Sequence, residues 1–297
     1  MRRVFPLVLA MLAGVSCNES VRTETVFLEE EGAEKNCYTA VLPAEGQSLD
    51  SFMLLLPGFG ESMSDVLSAT SLPYDAAASG IAVFVPLLQD GVESYGFSNR
   101  SQESLSSIVD DIIQRYDLAG KPYCVGGFSM GGATAVKYAE TAAVKPSCVF
   151  AIDSPLDYER YVYSTRRDVE VYKKNLIEGG EIYSQLLDAL APIAGESPYL
   201  LSDMSHEAIL PLAGIPVRYY IEPAEQWWLD RRQTDVLGLN ILDGTAFIND
   251  LRLLGNDSAE LIVTSGKGYR NGGKTYHPHS WTIVDNAELI AWIVDYR

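Results

Sequence analysis

Short runs of apolar, β-branched and aromatic residues alternate along the chain with longer segments whose apolar residues recur at helical spacing. In residues 105–113, apolar side chains repeat at the spacing of a helix with charged ones between them, and residues 287–296 show the same pattern. Such alternation is typical of β-α-β units. We therefore expect an α/β fold, with a mostly parallel, doubly wound sheet and helices on both faces. Eight strands are predicted, at Thr25–Glu29, Tyr38–Leu42, Phe52–Leu56, Ile81–Leu87, Tyr123–Gly126, Val149–Ile152, Val217–Ile221 and Leu261–Thr264.

One long stretch interrupts this alternation. Residues 156–214 contain no clear buried strand and are rich in tyrosine and in helical patterns. They predict a helical insertion that folds over one end of the sheet as a cap. The sequence shows no internal repeat and no Pro/Gly/Ser-rich linker. Residues 18–297 are therefore predicted to form one domain that carries this cap.

The first seventeen residues, MRRVFPLVLAMLAGVSC, combine two arginines with an apolar stretch and a small-residue end. This layout is typical of a secretory signal, because the apolar part is too short to span a bilayer comfortably. Its end, Gly14-Val15-Ser16-Cys17, resembles a bacterial lipobox, although Gly14 stands where Leu, Val or Ile is usual. We expect an exported chain that is lipidated at Cys17 and held in the cell envelope. Ordinary cleavage near Ser16, followed by secretion, is the alternative.

Acidic residues outnumber lysine and arginine by 40 to 22, which gives a formal net charge of −18. Such a chain is a poor ligand for nucleic acid or for an anionic membrane, so membrane contact is expected only through the lipid anchor. The four cysteines show no spacing typical of metal ligands. The sequence implies neither a metal nor a cofactor.

Residues 126–133 read GGFSMGGA, with four glycines around Ser129, between a predicted strand and a helix that begins at about Met130. Glycine inside a regular element costs roughly 0.5–1 kcal/mol relative to alanine, so the cluster indicates a backbone path that side chains would obstruct. A strand that turns sharply into a helix holds such a serine at positive φ, where flanking side chains would collide. The pattern predicts that the Ser129 hydroxyl is exposed at the carboxyl edge of the sheet.

In this context Gly127-Phe128-Ser129-Met130-Gly131 resembles the G-x-S-x-G nucleophile elbow of the α/β-hydrolase superfamily. The upstream run Leu54-Leu55-Leu56-Pro57-Gly58-Phe59-Gly60 is similar to the glycine loop after the third strand of that family, with Pro57 in place of the usual histidine. The resemblance implies that Ser129 is a nucleophile and that the N–H groups of Phe59 and Met130 form an oxyanion hole. Two such donors stabilise a tetrahedral oxyanion by several kcal/mol.

A serine nucleophile needs a base, normally a histidine, which is itself oriented by a carboxylate. The chain has three histidines, of which His206 falls in the predicted cap. His277 and His279 lie between the last strand and the last helix, where the family carries its base. We expect His279, the residue nearer the final helix, to be the base and His277 to be a surface or pocket-rim residue.

The family's chain order of serine, acid and histidine places the acid after the seventh strand, in Glu222-Pro223-Ala224-Glu225. Glu222 stands at the end of that strand, fixed by Pro223. Ungapped alignment with the family pattern His-Gly-x-x-Asp instead places Glu225 at the aspartate. Glu222 is preferred here, Glu225 is the alternative, and Asp230 is a further candidate.

Together these residues resemble a serine hydrolase of the carboxylesterase type, which cleaves an ester-like bond through an acyl-enzyme. The acidic surface favours a small neutral ester or an acylated sugar over an anionic substrate. One alternative is a serine peptidase of the same fold. Another is a lipoprotein that keeps the fold for binding alone. The combination of serine, histidine, carboxylate and both glycine loops argues against this second alternative.

Overall fold

The protein is represented by a computed structural model that describes residues 21–177, 180–190 and 206–297. These residues contain an eight-stranded sheet in the order β1-β2-β4-β3-β5-β6-β7-β8, which confirms the predicted fold class. β2 pairs antiparallel with β1 and β4, and all the other pairs are parallel. The strands are β1 Arg22–Phe27, β2 Cys37–Leu42, β3 Ser51–Leu56, β4 Ile81–Leu87, β5 Tyr123–Phe128, β6 Cys148–Ile152, β7 Val217–Ile221 and β8 Ala259–Val263.

Helices cover both faces of the sheet because successive strand residues point to opposite sides. In β3, Leu54 and Leu56 belong to the apolar core on one face, and Met53 and Leu55 belong to the core on the other. The helices of the described ranges are α1 Met63–Ala69, α2 Leu72–Ala78, α3 Asn99–Arg115, α4 Met130–Thr141, α5 Tyr158–Asn175, α6 Glu181–Leu190, α7 His206–Ile209, α8 Glu225–Arg232, α9 Ile241–Leu253 and α10 Asn286–Asp295. α3, α4 and α9 pack on the first core, and α1, α2 and α10 pack on the second.

The strand order reverses direction between β3 and β5, since the chain builds β4 on one side of β3 and then returns to build β5 on the other. In open α/β sheets, ligands bind at the carboxyl ends of the strands where such a reversal occurs. The loop after β3 and the turn after β5 meet at this edge, and they carry Phe59 and Ser129.

The segment between β6 and β7 contributes α5 and α6 before α7 leads back to the sheet. The prediction that residues 156–214 form a cap concerns partly undescribed chain and stays a prediction. The predicted signal and Cys17 lie outside the described residues. Among the helices that are described, none combines the length and the apolar character that crossing a bilayer requires.

A two-stranded hairpin follows β8 and was not predicted. It pairs β9 Tyr269–Arg270 with β10 Thr275–Tyr276 in antiparallel register. His277 and His279 follow its second strand directly, so the hairpin determines where the two histidines enter the edge of the sheet.

Candidate active site

Ser129 lies between the last residue of β5 and the first residue of α4, with φ of +53°. A Cβ atom at Gly127 would come within 2.5 Å of the carbonyl carbon of Gly131. One at Gly131 would overlap the carbonyl oxygen of Leu56. The glycines on either side of Ser129 therefore remove the collisions that so tight a strand-to-helix turn would produce.

The turn after β6 lies beside the turn after β5 and also carries a residue at positive φ. β5 and β6 run parallel, with Phe128 opposite Ile152, and the Ser129 N–H donates to the Ile152 carbonyl at 2.8 Å. The residue that follows β6 is Asp153, which also has a positive φ of +46°. Two adjacent parallel strands thus place a serine and a buried aspartate side by side at the carboxyl edge.

His279 reaches this edge from the loop after β10, and its Nδ1 lies 2.7 Å from Asp153 Oδ2. Its ring packs against Phe128, with centroids 4.4 Å apart, and its carbonyl accepts a hydrogen bond from Arg270 Nε at 3.0 Å. With Asp153 ionised, Nδ1 carries the proton and Nε2 is the basic nitrogen. No hydrogen bond joins Nε2 to the Ser129 hydroxyl here, and such contacts are often long until a substrate closes them.

The prediction that Glu222 orients His279 is wrong, because the structure pairs His279 with Asp153. Glu222 is buried at the end of β7, one strand further from Ser129, and its carboxylate is fully occupied by other donors. These donors are the backbone N–H groups of Gly266, Lys267 and Gly268 and the hydroxyls of Thr264 and Tyr276, at 2.6–3.2 Å. Glu222 therefore fixes the loop after β8 and the hairpin that precedes His279.

The alternative acid, Glu225, does not contact His279 either. It is the first residue of α8 and its side chain is exposed. A carboxylate in the first turn of a helix interacts favourably with the positive end of the helix dipole, which accounts for its place. Asp230, near the other end of the same helix, is also exposed and accepts a hydrogen bond from Gln226.

A chain of polar contacts that the sequence did not reveal holds Asp153 in place. Asn240 Nδ2 donates to Asp153 Oδ1 at 3.0 Å, which leaves Oδ2 for His279. The Asn240 side-chain oxygen accepts from Arg160 Nη2 at 3.0 Å, and this fixes which end of the amide faces Asp153. Arg160 is in turn bound by the buried carboxylate of Asp243 through Nε and Nη2. The insertion helix α5 thus supports the acid through Arg160 and Asn240.

The loop after β3 is held by a second unpredicted carboxylate. Glu61 Oε2 accepts the Gly58 N–H at 2.8 Å, and the indole N–H of Trp281 donates to the same carboxylate at 3.1 Å. Burial raises the pKa of Glu61, and these hydrogen bonds partly offset that effect. Glu61 therefore ties the loop that carries Phe59 to the loop that carries His279.

The amides predicted to form an oxyanion hole, those of Phe59 and Met130, donate to no acceptor in the described part of the chain. Phe59 and Ser129 line the same cavity. Both amides are therefore available to a ligand, and their role remains a prediction.

A cavity of about 810 Å³ opens over this edge of the sheet, and Ser129, Asp153 and His279 all line it. His277 also lines it and packs against Trp227, with ring centroids 4.6 Å apart. Burial and then the nearby Arg270 lower the pKa of His277 to about 2, so its imidazole is neutral. Within the described residues, no group of three His, Cys, Asp or Glu side chains is arranged to hold a metal ion.

No family model and no curated protein match this chain. Solved structures do match it. An esterase from the bacterial hormone-sensitive lipase family has a TM-score of 0.58 and 18% identity, over 94% of this chain and 84% of that one. FphF, a fluorophosphonate-binding serine hydrolase from Staphylococcus aureus, has a TM-score of 0.56 and 15% identity, over 93% of this chain and 99% of that one. MPT51 from Mycobacterium tuberculosis has a TM-score of 0.57 and 14% identity, over 93% of this chain and 98% of that one.

The chain has the α/β-hydrolase fold. Within that fold, two strand ends and one loop bring together a strained serine, an aspartate and a histidine at one edge. This arrangement can transfer a proton from a serine hydroxyl to an imidazole and stabilise the resulting imidazolium. Asp153 was missed although a signal for it exists, since it directly follows the apolar strand Val149–Ile152.

Proposed function

We propose that this α/β-hydrolase is a serine hydrolase that cleaves an ester-like bond through an acyl-enzyme. The observation that carries the proposal is the His279–Asp153 pair at 2.7 Å, which shares one cavity with Ser129 on its positive-φ turn. The three side chains come from distant parts of the sequence. Their meeting at one cavity, together with the glycine-lined turn, supports a nucleophile activated by a base.

In the proposed reaction, His279 Nε2 removes the proton from Ser129 as the hydroxyl attacks the carbonyl carbon of the substrate. Asp153 stabilises the imidazolium, and the Phe59 and Met130 amides bind the oxyanion. His279 then returns the proton to the leaving alcohol, and an acyl group remains on Ser129. Water, activated by the same histidine, attacks the acyl-enzyme and releases the acid and the free serine.

Labelling with a fluorophosphonate probe tests this proposal. The probe should modify wild-type protein at Ser129, as peptide mass spectrometry can show, and should not modify Ser129→Ala. A Ser154→Ala variant is the matched control, because Ser154 is a buried serine after the neighbouring strand and bonds only to protein groups. Absence of labelling on folded wild-type protein, together with no hydrolysis of an activated ester, would favour the binding lipoprotein instead.

The proposed substrate is a small neutral ester or an acylated sugar, for which the acidic chain presents no electrostatic barrier. Turnover of activated esters together with amides of the same acyl groups would instead favour the serine peptidase. The proposed location is the cell envelope, with Cys17 as the lipidated first residue of the mature chain. Mass spectrometry of the mature N-terminus tests this, since an unmodified terminus beyond Cys17 would refute the anchor.

A further inference from the structure

Part of the cavity wall consists of polar groups that the proposed chemistry does not use. Asp168 from α5, Tyr183 from α6, Thr234 and Gly238 line the same cavity as Ser129. Arg167 stands next to Asp168 in the sequence and brings its guanidinium to the same place, with Nη2 3.7 Å from Asp168 Oδ1. We call these five residues the polar wall.

The polar wall contains buried atoms without hydrogen-bond partners. Asp168 is only 6% exposed and Thr234 only 2%, yet neither Asp168 Oδ1 nor Thr234 Oγ1 has a partner among the described residues. Arg167 Nη2 also lacks a hydrogen bond: it forms an ion pair with Asp168 Oδ1, but the 3.7 Å separation is too long for a hydrogen bond, and Nη1 of the same guanidinium donates to Asp235. Buried polar atoms in folded proteins are almost always hydrogen-bonded, so three orphaned atoms in one cluster are unusual.

Asp168 also bears an electrostatic cost at this position. Burial raises the pKa of its carboxyl group to about 6, and the Arg167 charge offsets this only in part. Arg167 and the Thr234 hydroxyl lie close enough to lower this pKa, but neither makes a hydrogen bond to Oδ1, and a buried carboxylate oxygen without one opposes folding. A ligand that supplied hydrogen bonds would relieve that cost.

Gly238 keeps space open beside these atoms. A Cβ atom there would lie 3.4 Å from Asp168 Oδ2 and 3.6 Å from Arg167 Nη2, and it would overlap the Thr234 methyl group. The φ of Gly238 is not positive, so its backbone does not require glycine. What excludes a side chain at this position is the Thr234 methyl group, 2.4 Å from where a Cβ would lie, and as a result the space in front of the carboxylate and the guanidinium stays open.

We propose that the polar wall binds a polyhydroxylated part of the substrate, such as the sugar or polyol portion of an acylated carbohydrate. This rests on the proposed function and specifies its substrate. A hydroxyl group both donates and accepts hydrogen bonds, so neighbouring hydroxyls can satisfy the Asp168 carboxylate, the Arg167 N–H and the Thr234 hydroxyl together. An ammonium group would satisfy only Asp168 and would be repelled by Arg167. An alkyl group would satisfy none of the three.

The test compares two acetate esters that each carry a six-membered ring. One is glucose acetylated at its primary hydroxyl, and the other is cyclohexylmethyl acetate, which has a similar ring and no hydroxyl groups. Wild-type protein should prefer the sugar ester in kcat/KM. In Asp168→Asn this preference should fall at least tenfold, mainly through KM for the sugar ester, because a charged hydrogen bond to substrate is lost. Thr234→Val should reduce it by a smaller factor, about threefold to tenfold.

The matched control is Glu170→Gln, which removes an exposed carboxylate from the same helix, paired there with Lys173. It should leave the preference unchanged. No preference in wild type, or equal preferences in wild type and Asp168→Asn, would overturn the polar wall as a sugar site.

A binding measurement separates this inference from the proposed function. Ser129→Ala and the double variant Ser129→Ala/Asp168→Asn are titrated calorimetrically with the acetylated glucose. The single variant should bind it at least tenfold more tightly. Suppose that binding depends on Asp168, but that wild-type protein is not labelled by the fluorophosphonate probe and cleaves neither ester. That result would support the sugar site and reject the proposed hydrolase activity. Labelling and turnover with equal or undetectable binding would reject the site and sustain the hydrolase.

Discussion

Two buried carboxylates stand at the ends of neighbouring strands, Asp153 after β6 and Glu222 after β7, and their surroundings differ. Asp153 receives one side-chain hydrogen bond, from Asn240, and its other oxygen faces His279. Glu222 receives hydrogen bonds from three backbone amides and two hydroxyls of the following loops. A carboxylate whose oxygens are saturated by fixed donors holds backbone in place, whereas one with an oxygen left for an imidazole can orient a base.

The two carboxylates are nevertheless connected through one loop. Glu222 fixes residues 264–268, the hairpin that follows carries Arg270, and Arg270 holds the His279 carbonyl. Glu222 therefore acts on the position of the histidine backbone, and Asp153 acts on the histidine ring. Changes at the two sites should separate stability from turnover.

The largest expected effect is on turnover, in Asp153→Asn. The imidazole then loses its charge partner and its preferred tautomer, and kcat for an activated ester should fall by about 10³–10⁴. The melting temperature should change little. Steady-state kinetics and thermal unfolding of the same preparation check both. A fall in kcat of less than tenfold would mean that another group orients His279.

Glu222→Gln should show the reverse pattern. The amide retains one acceptor oxygen and turns an NH₂ group toward donors, so we expect the free energy of unfolding to fall by about 2–4 kcal/mol. Denaturant unfolding measures this, and kcat should remain within about tenfold of wild type at temperatures where the variant is folded. A loss of turnover as large as that of Asp153→Asn, in a stably folded variant, would contradict the comparison.

Asn240→Ala should have an intermediate effect. It removes the hydrogen bond that holds Asp153 Oδ1, and a hydrogen bond to a charged group contributes about 1.5–3 kcal/mol. Loss of this much transition-state stabilisation corresponds to about 10–100-fold in kcat. As a control, Asn99→Ala changes an exposed asparagine at the start of α3, outside the cavity, and its kcat should stay close to that of wild type.

The smallest expected effect is a gain in stability from Asp168→Asn. The folded protein raises the pKa of this carboxyl from 3.8 to about 6, so its ionisation opposes folding fully above about pH 6 and not at all well below pH 3.8. At pH 8 the variant should melt about 2–4 °C higher than wild type. The gain should diminish as the pH is lowered from 6 to 4. An equal gain in melting temperature at pH 8 and at pH 4 would mean that burial of charge is not its cause.

The elements of the sheet were largely predictable from the sequence because their apolar runs are local signals. Ile81–Leu87 and Val217–Ile221 match the predicted bounds at both ends. The predicted turn at Ser129 is also local, since adjacent glycines dictate it. The hairpin Tyr269–Tyr276 escaped prediction because its strands are short, largely exposed and polar at the tip.

The acid was mispredicted because the role of a carboxylate depends on partners that are distant in the sequence. The donors that occupy Glu222 lie 42 to 54 residues further along the chain, and periodicity does not reveal them. The strand order does identify Asp153. β5 and β6 are adjacent and parallel with Phe128 opposite Ile152, so the residues that follow these two strands stand next to each other.

Proton NMR of the His279 ring tests the central claim most directly, because the Nδ1 proton reports on the carboxylate that accepts its hydrogen bond. Selective ¹⁵N-histidine labelling, with His279→Ala for assignment, identifies the strongly downfield Nδ1–H resonance that a histidine–carboxylate pair produces. We predict that this resonance is present in wild type and in Glu222→Gln and is lost or shifted far upfield in Asp153→Asn. Its persistence in Asp153→Asn with loss in Glu222→Gln would contradict the account and assign the histidine to Glu222.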